Sequence, residues 1–334
     1  MNIKTIAAMA GVSIATVSKI INNYSDVGEE TRRRVLKIME ETGYRPSSSA
    51  KTLATKKSSL IGAVFAGKLN SDLNHPIFVE VINAFKKQIG LLGYDLLLFS
   101  NENFFEAKED YLARCRHFQV DGCIIIAGDN VEPSIADLDQ SDIPCIGIDI
   151  AMSGRNSTYL MSDNAKISAK VVEHFYMQGH REIGLLGIDR QSGVTSIRET
   201  AFVESLKSFG LALRPEWRLL SADYSMEGGY RAMKELIAAG GPLPRALFAV
   251  TDLLAFGAMR ALKEHGLRIP EDMALVGCDD IDACLYSDPP LTTVRQDTEK
   301  MGRLAALMLF DMINHQIDPS AIVVESELMV RGSG

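Results

Sequence analysis

Thr5-Ile6-Ala7-Ala8-Met9-Ala10-Gly11-Val12-Ser13-Ile14-Ala15-Thr16-Val17-Ser18-Lys19-Ile20-Ile21-Asn22 holds two helix signals in a short space. Residues 5–10 are good helix formers with Thr5 as a cap candidate, and Gly11 stands where a helix would end in the left-handed conformation. Ser13 is a fresh N-cap candidate, after which Val17, Ile20 and Ile21 share one face by i, i+3, i+4 spacing. Two helices separated by a short Gly-containing turn read as a helix-turn-helix. A third helix is expected from Glu30 to Thr42, with Val35, Leu36, Ile38 and Met39 inward and Arg32, Arg33 and Arg34 in its first half. Gly43 stops it, and Pro46 prevents its resumption. In such a unit the second helix enters the DNA major groove with its N-terminal residues at base edges. The candidate readers are therefore Ile14, Ala15, Thr16, Ser18 and Lys19. Ile14 and Ala15 offer shape and contact with thymine methyls, Thr16 and Ser18 can bond phosphate or base, and Lys19 can donate to guanine or phosphate. A three-helix protein-interaction module would have the same core.

Working outward, charge favours DNA. The whole chain carries −8, but residues 1–60 hold ten Lys/Arg against five Asp/Glu, leaving 25 against 38 in the rest. A +5 head on a −13 body is the asymmetry expected when one end meets phosphate. Ser47 to Ser58 follows, with small residues, three lysines (51, 56, 57) and one isolated large aliphatic, Leu53. It reads either as a solvated tether or as a hinge helix over 50–56, formed on DNA, with Leu53 wedged between minor-groove base steps.

Residues 6–23, 29–35, Gly43-Tyr44-Arg45-Pro46-Ser47 and Ala50-Lys51-Thr52-Leu53-Ala54 together resemble the lactose-repressor (LacI/GalR) family of bacterial transcription regulators. The resemblance implies a homodimer on a pseudo-palindromic double-stranded operator, with Leu53 inserted at a kinked central step. The DNA-binding set becomes Thr5, Ser13, Ile14, Ala15, Thr16, Ser18, Lys19, Asn22, Lys51 and Leu53. Two departures stand out: Gly28 occupies a place where the family often has a Ser cap, and Lys19 and Lys51 replace commoner arginines. A lysine is a point donor and lacks the arginine fork for bidentate guanine reading.

From Leu60 onward short apolar runs alternate with helical stretches. Runs at 60–65, 95–99, 122–126 and 144–148, and a second set at 183–186, 246–250 and 273–277, are separated by helix-length segments. Continuous apolar strands between helices imply parallel sheets covered on both faces. Two such sets imply two doubly wound α/β subdomains with a ligand cleft at their strands' carboxyl ends. The expected fold class is thus α/β, a small all-α head plus a core of two doubly wound parallel-sheet subdomains, and the family resemblance implies that this core is like a periplasmic sugar-binding protein. Gly179-His180-Arg181-Glu182-Ile183-Gly184, Ala274-Leu275-Val276-Gly277-Cys278-Asp279-Asp280-Ile281 and Pro289-Pro290-Leu291-Thr292-Thr293-Val294-Arg295-Gln296-Asp297 extend the resemblance over the body. It implies chain crossings near 160, 290 and 320. The expected divisions are a DNA-binding domain at 1–46, a hinge at 47–58, one subdomain at 59–161 and 291–320, and the other at 162–290 and 321–334.

Asp149, Thr251, Asp252 and Asp279 follow strand ends and are candidate ligand residues; Asp252 reads equally well as a helix cap. The resemblance adds Ile77, Phe78, Arg198, Tyr224 and Gln296. Carboxylates and an arginine beside an aromatic wall suit a sugar or sugar-like effector, since they bond vicinal hydroxyls while a ring covers the apolar face. The family contains effectors that release DNA and effectors that promote binding, release being the commoner.

A chain of 334 residues with 46% hydrophobic content can bury a core, and no uncharged apolar run approaches the roughly 18 residues of a membrane span. Five cysteines without Cys-x-x-Cys spacing suggest neither a disulfide framework nor a zinc site. Neither metal nor cofactor is expected. The N-terminus lacks an extended apolar signal segment, so the cytoplasm is the expected location. A periplasmic-type sugar-binding protein without a DNA role would share the body but would need a signal peptide and have no use for residues 1–57. An enzyme lacks its usual signs: no phosphate loop, no Gly-x-Ser-x-Gly, and no metal-ligand pair among the six histidines.

Overall fold

The structure is a computed structural model that describes residues 1–21, 24–45, 57–67, 75–99, 110–127, 131, 133–189, 193–317 and 320–334. Asn22 and the hinge residues Lys51 and Leu53 lie outside them. The chain divides into two compact units, residues 1–60 with 119–121, and the remainder.

In the first unit, α1 (Ile3–Ala10) is capped by Asn2, not Thr5. The Asn2 carboxamide oxygen accepts from the Thr5 N–H at 3.0 Å and the Thr5 hydroxyl at 3.1 Å. Gly11 closes it with φ 64°, a conformation that costs a residue with a Cβ more than it costs glycine. Ser13 caps α2 (Ile14–Ile21), its Oγ accepting the Thr16 N–H at 3.0 Å. The axes of α1 and α2 bend by 105° at the turn, within the helix-turn-helix range. Gly28 stands at the N-cap of α3 (Glu29–Thr42), which therefore has no side-chain cap. Ile6, Ala7, Ala10, Val17, Ile20 and Val35 form the core, with Ile38 and Met39 packed against it. Leu36 departs from the expectation: it is 46% exposed. The inward stripe of α3 runs 35, 38, 39, and residue 36 lies one helical step, about 100°, away from it.

In the second unit the first elements are β1 (Leu60–Ala66), α4 (Pro76–Leu91), β2 (Asp95–Leu98), α5 (Tyr111–Phe118), β3 (Gly122–Ala127), α6 (Pro133–Asp139), β4 (Cys145–Ile148) and β5 (Ser157–Ser162). There follow α7 (Asn164–Met177), β6 (Ile183–Ile188), α8 (Val194–Ser208), β7 (Arg218–Ser221), α9 (Met226–Ala238), β8 (Ala246–Ala249), α10 (Asp252–Glu264) and β9 (Ala274–Asp279). The chain ends with α11 (Ala283–Tyr286), β10 (Thr292–Gln296), α12 (Thr298–Ile313), β11 (Ile322–Val324) and β12 (Ser326–Met329).

The strands make two sheets, ordered β11-β5-β4-β3-β1-β2 and β12-β10-β9-β8-β6-β7. Each repeats one doubly wound order, with the strand sequence reversing between β1 and β3 and between β6 and β8, the places where such folds bind ligands. Pairing is parallel across β1–β3–β4–β5–β11 and β7–β6–β8–β9–β10, and β12 closes the second sheet antiparallel to β10. The central strands are buried end to end, as two-sided coverage requires.

Strand pairing puts two crossings later than expected. Residues 292–296 pair in the second sheet, so the chain returns to the first lobe after Gln296, not at 291. Residues 322–324 pair with β5 in the first sheet, so the last crossing follows Val324, not 320. Short runs such as Ile322-Val323-Val324 are equally compatible with either sheet until pairing is known. Packing of α12 on α4 depends on Gly302, where a Cβ would fall 2.3 Å from the Val81 carbonyl oxygen. All five cysteines are free and buried. Among the described residues no single helix is long and apolar enough to cross a membrane.

Candidate nucleic-acid interface and ligand cleft

In the head, the face of α2 opposite Val17 and Ile20 is open. Ile14, Ala15 and Lys19 are exposed and Thr16 and Ser18 half-buried. Thr16 Oγ1 shares a hydrogen bond with Ser13 Oγ at 2.9 Å, which ties the first turn of the helix together. Ile14 is 44% exposed on this face. The Lys19 ammonium pairs with Asp26, and that contact holds the Asp26 carboxyl below its ordinary range. Thr5 and Ser13 are exposed beside these readers.

In the core, the candidate effector residues gather at the carboxyl ends of the strands. Asp149 follows β4 with φ 58°; Asp279 ends β9 with φ 135°, and Asp280 follows with φ 59°. Non-glycine residues held at positive φ are strained and collect at functional sites. Asp279 Oδ1 accepts from the Gln296 carboxamide at 2.8 Å and lies 3.9 Å from Arg198 Nη1. Arg198 is fully internal: Nε donates to Asn164 Oδ1 at 2.7 Å and Nη1 to the Val250 carbonyl at 2.8 Å. Tyr224 shares a hydrogen bond with Thr195 at 3.0 Å, one turn before Arg198 on α8.

Four polar atoms around this group remain unsatisfied. Asp149 Oδ1, Asp279 Oδ2, Gln296 Oε1 and His75 Nδ1 are buried without a hydrogen-bond partner. Buried polar atoms are nearly always paired, so these atoms are candidates to bond a ligand. Burial lifts the Asp149 carboxyl to about 6 against the opposing pull of Arg198. Burial and the nearby Asp149 charge also raise Asp279, again against Arg198. Burial, followed by the Arg198 charge, lowers the His75 imidazole to about 4.

Three candidates are placed differently from the rest. Thr251 caps α10, with Oγ1 accepting the Leu254 N–H at 3.4 Å. Asp252 spends both carboxylate oxygens inside the protein, accepting from Thr293 Oγ1 at 2.6 Å, the Ile281 N–H at 3.0 Å and the Cys284 thiol at 3.1 Å. Gly277 makes room for it, because a Cβ there would lie 2.2 Å from Asp252 Oδ1. Ile77 belongs to the buried core of the second lobe although α4 packs on the first, and Phe78 touches both lobes' cores. His75, Asn164 and Thr195 were absent from the sequence-based set. Their residue types carry no signal alone, and only the fold sets them against Asp279, Arg198 and Tyr224.

A helix-turn-helix head followed by a two-lobed α/β core with an unsatisfied polar cleft defines the class of ligand-responsive, DNA-binding transcription regulators. Residues 2–47 match the family model described as bacterial regulatory proteins, lacI family, and residues 172–334 match that of a periplasmic binding protein-like domain. The chain is 32% identical over 323 residues to the HTH-type transcriptional repressor PurR of Erwinia tasmaniensis, covering 96% of this chain and 93% of that one. It is 29% identical to the PurR repressor of Pasteurella multocida, over 99% and 98% of the two. It is similar to the lac repressor dimer bound to operator and the anti-inducer ONPF, at 26% identity and a TM-score of 0.85, over 100% and 98% of the chains. The transcriptional regulator CelR in complex with cellobiose aligns at 26% identity and a TM-score of 0.75 over the whole of both chains. This chain belongs to the lacI family of bacterial regulatory proteins.

Proposed function

We propose that this chain is a dimeric cytoplasmic repressor that reads a two-fold-related DNA site with α2 and senses a sugar-like effector between its core lobes. The observation that carries the reading is the group of orphaned buried acceptors in a chain whose first unit is a helix-turn-helix. Ile14, Ala15, Thr16, Ser18 and Lys19 reach base edges and nearby phosphates, while Thr5, Ser13, Asn22 and Lys51 fix the helix on the backbone and Leu53 enters the minor groove. Asp149, Asp279 and Gln296 accept from effector hydroxyls, Arg198 donates, and Phe78 and Tyr224 wall the site. Ile77, Thr251 and Asp252 support it from behind, since their side chains are committed to the core, to a helix cap and to the 279–281 turn. The similarity to repressors, to an operator-bound dimer and to a cellobiose complex supports a regulator over an enzyme.

Effector binding acts by differential affinity for two arrangements of the lobes, which biases the DNA-competent state. Selection of random double-stranded DNA by the full-length chain tests the reading. An enriched inverted repeat is expected; enrichment no better than the starting pool would overturn it.

A further inference from the structure

The first lobe holds three thiols that neither the DNA-reading helix nor the effector cleft uses. Cys123 on β3 and Cys145 on β4 are partners in the parallel register, so their side chains leave the sheet on one face. That face is opposite to the one on which Ile124, Ile126, Ile146 and Ile148 join the lobe's core. Cys145 Sγ donates to the Ile143 carbonyl at 3.3 Å and lies 3.9 Å from the Leu138 carbonyl on α6. Cys115, on α5, completes the group, its thiol sharing a hydrogen bond with that of Cys123. All three are fully buried. Gly62 on β1 leaves room for the cluster, because a Cβ there would lie 3.1 Å from the Phe99 ring and 3.5 Å from Cys123 Sγ. The Arg114 guanidinium stacks over the same Phe99 ring, 4.7 Å from its centroid, which brings a positive charge beside Cys115.

A cysteine attacks as the thiolate, which a neighbouring cation and a hydrogen-bond donor favour. The Cys123 thiol and, after it, the Arg114 charge hold the Cys115 thiol below its ordinary value against the opposing effect of burial. Cys123 is pushed well above its own, by Cys115, Cys145 and burial. The two sulfurs are thereby divided into an attacking and a resolving one. The turn between them is where the expected hinge ends. Asp121 accepts the Ser58 N–H at 2.9 Å and the Ser59 N–H at 2.8 Å on its two carboxylate oxygens, and its own N–H donates to the Leu60 carbonyl at 2.9 Å. Gln119 and Ser59 are held at φ 54° and 57°, so this junction has little slack.

We propose that Cys115 and Cys123 are a peroxide-oxidised dithiol, whose disulfide closes residues 115–123 into a loop and weakens DNA binding by drawing Asp121 off Ser58 and Ser59. In the first step the Cys115 sulfur attacks hydrogen peroxide: an S–O bond forms, the O–O bond breaks, and the second oxygen leaves as water with the thiol proton. In the next, the Cys123 sulfur attacks the resulting sulfenic acid: the S–S bond forms, the S–O bond breaks, and a second water carries off the Cys123 proton. The two thiols lose two electrons and the peroxide gains them. Oxidant reaches Cys115 through local opening of α5, a helix of eight residues, so the reaction is slower than at an exposed thiol.

The test treats the full-length chain and its Cys115→Ser, Cys123→Ser and Cys145→Ser forms with hydrogen peroxide. Thiols are then titrated under denaturing conditions, cross-linked peptides are mapped, and affinity for the DNA that the untreated chain selects is read by anisotropy. In the unaltered chain the thiols should fall from five to three, with a 115–123 cross-link. DNA affinity should fall on the order of tenfold, the scale of an allosteric coupling, and dithiothreitol should restore it. Untreated Cys115→Ser and Cys145→Ser chains should bind DNA like the unaltered one; peroxide should leave the former unmoved and weaken the latter. Persistence of all five thiols overturns the inference, as does a cross-link to Cys145 or a Cys115 sulfinic acid without any cross-link. A 115–123 disulfide with unchanged DNA affinity, or a Cys115→Ser chain that still responds, overturns it as well. Each of these outcomes leaves the DNA-binding reading standing, because that reading is tested on the untreated chain.

Discussion

Asp149 is a buried carboxyl that costs the ligand-free chain stability at neutral pH. Its Oδ1 is buried without a partner, and burial lifts its carboxyl to about 6 from 3.8. A carboxyl raised in the folded state contributes fully below its unfolded pKa, and that contribution is lost as pH rises through the folded value. Asp149→Asn should therefore stabilise the ligand-free chain at pH 7 by about 1–3 kcal/mol, with the advantage disappearing between pH 6 and pH 4. Paired denaturant melts of the two chains at pH 7 and pH 4.5 check both sign and window, and the contribution of His75 cancels because both chains share it. On the head, Lys19 is matched by Asp26 in the free protein. Lys19→Ala should flatten the log–log salt dependence of DNA binding by a slope of about 1 if the ammonium meets phosphate. Asp26→Asn should raise DNA affinity several-fold, by removing a carboxylate that competes with phosphate for the same lysine. Fluorescence anisotropy across a KCl series reads both effects.

Elements, more than residues, carry the precision of the two sites. α2 begins where it does because Ser13 caps it, and the same hydroxyl holds Thr16 in the first turn. Ser13→Ala should cost the head about 1 kcal/mol, seen as faster amide hydrogen exchange in α2 with exchange in the sheets unchanged. In the core, β9 and α10 are locked by Asp252 lying against Gly277. These elements also show what a sequence can and cannot disclose. Gly11, Ser13 and Gly43 mark helix ends because capping is local chemistry, and the buried strands β1, β3, β4, β6, β8 and β9 stand out by continuous apolar content. β7, in contrast, alternates exposed and buried residues, and β10 to β12 are short and mixed, so their sheet and direction depend on neighbours distant in the chain. Asp149 and Asp279 were recognisable as strand-end carboxylates. Their positive φ values were not, because neither is a glycine. His75 was invisible for a related reason: only the fold sets it against Asp279.

At the scale of the whole molecule, charge and topology divide the labour. A +5 segment within residues 1–60 and a −13 remainder let one end lie on DNA while the other is repelled from it. Two lobes of the same strand order are joined by three crossings, the architecture on which the proposed closure rests. Leu53→Ala is expected to weaken operator binding while leaving effector binding unchanged, measured by anisotropy and thermal shift on the same preparation. The coupling between cleft and head is tested most directly by operator affinity, measured by anisotropy on the selected inverted repeat, with and without the sugar that gives the largest thermal shift. The unaltered chain should change affinity by roughly 5- to 150-fold, and Asp279→Asn should bind the same DNA with its affinity unmoved by the sugar. An Asp279→Asn chain that responds like the unaltered one, or an unaltered chain that does not respond, would contradict the account.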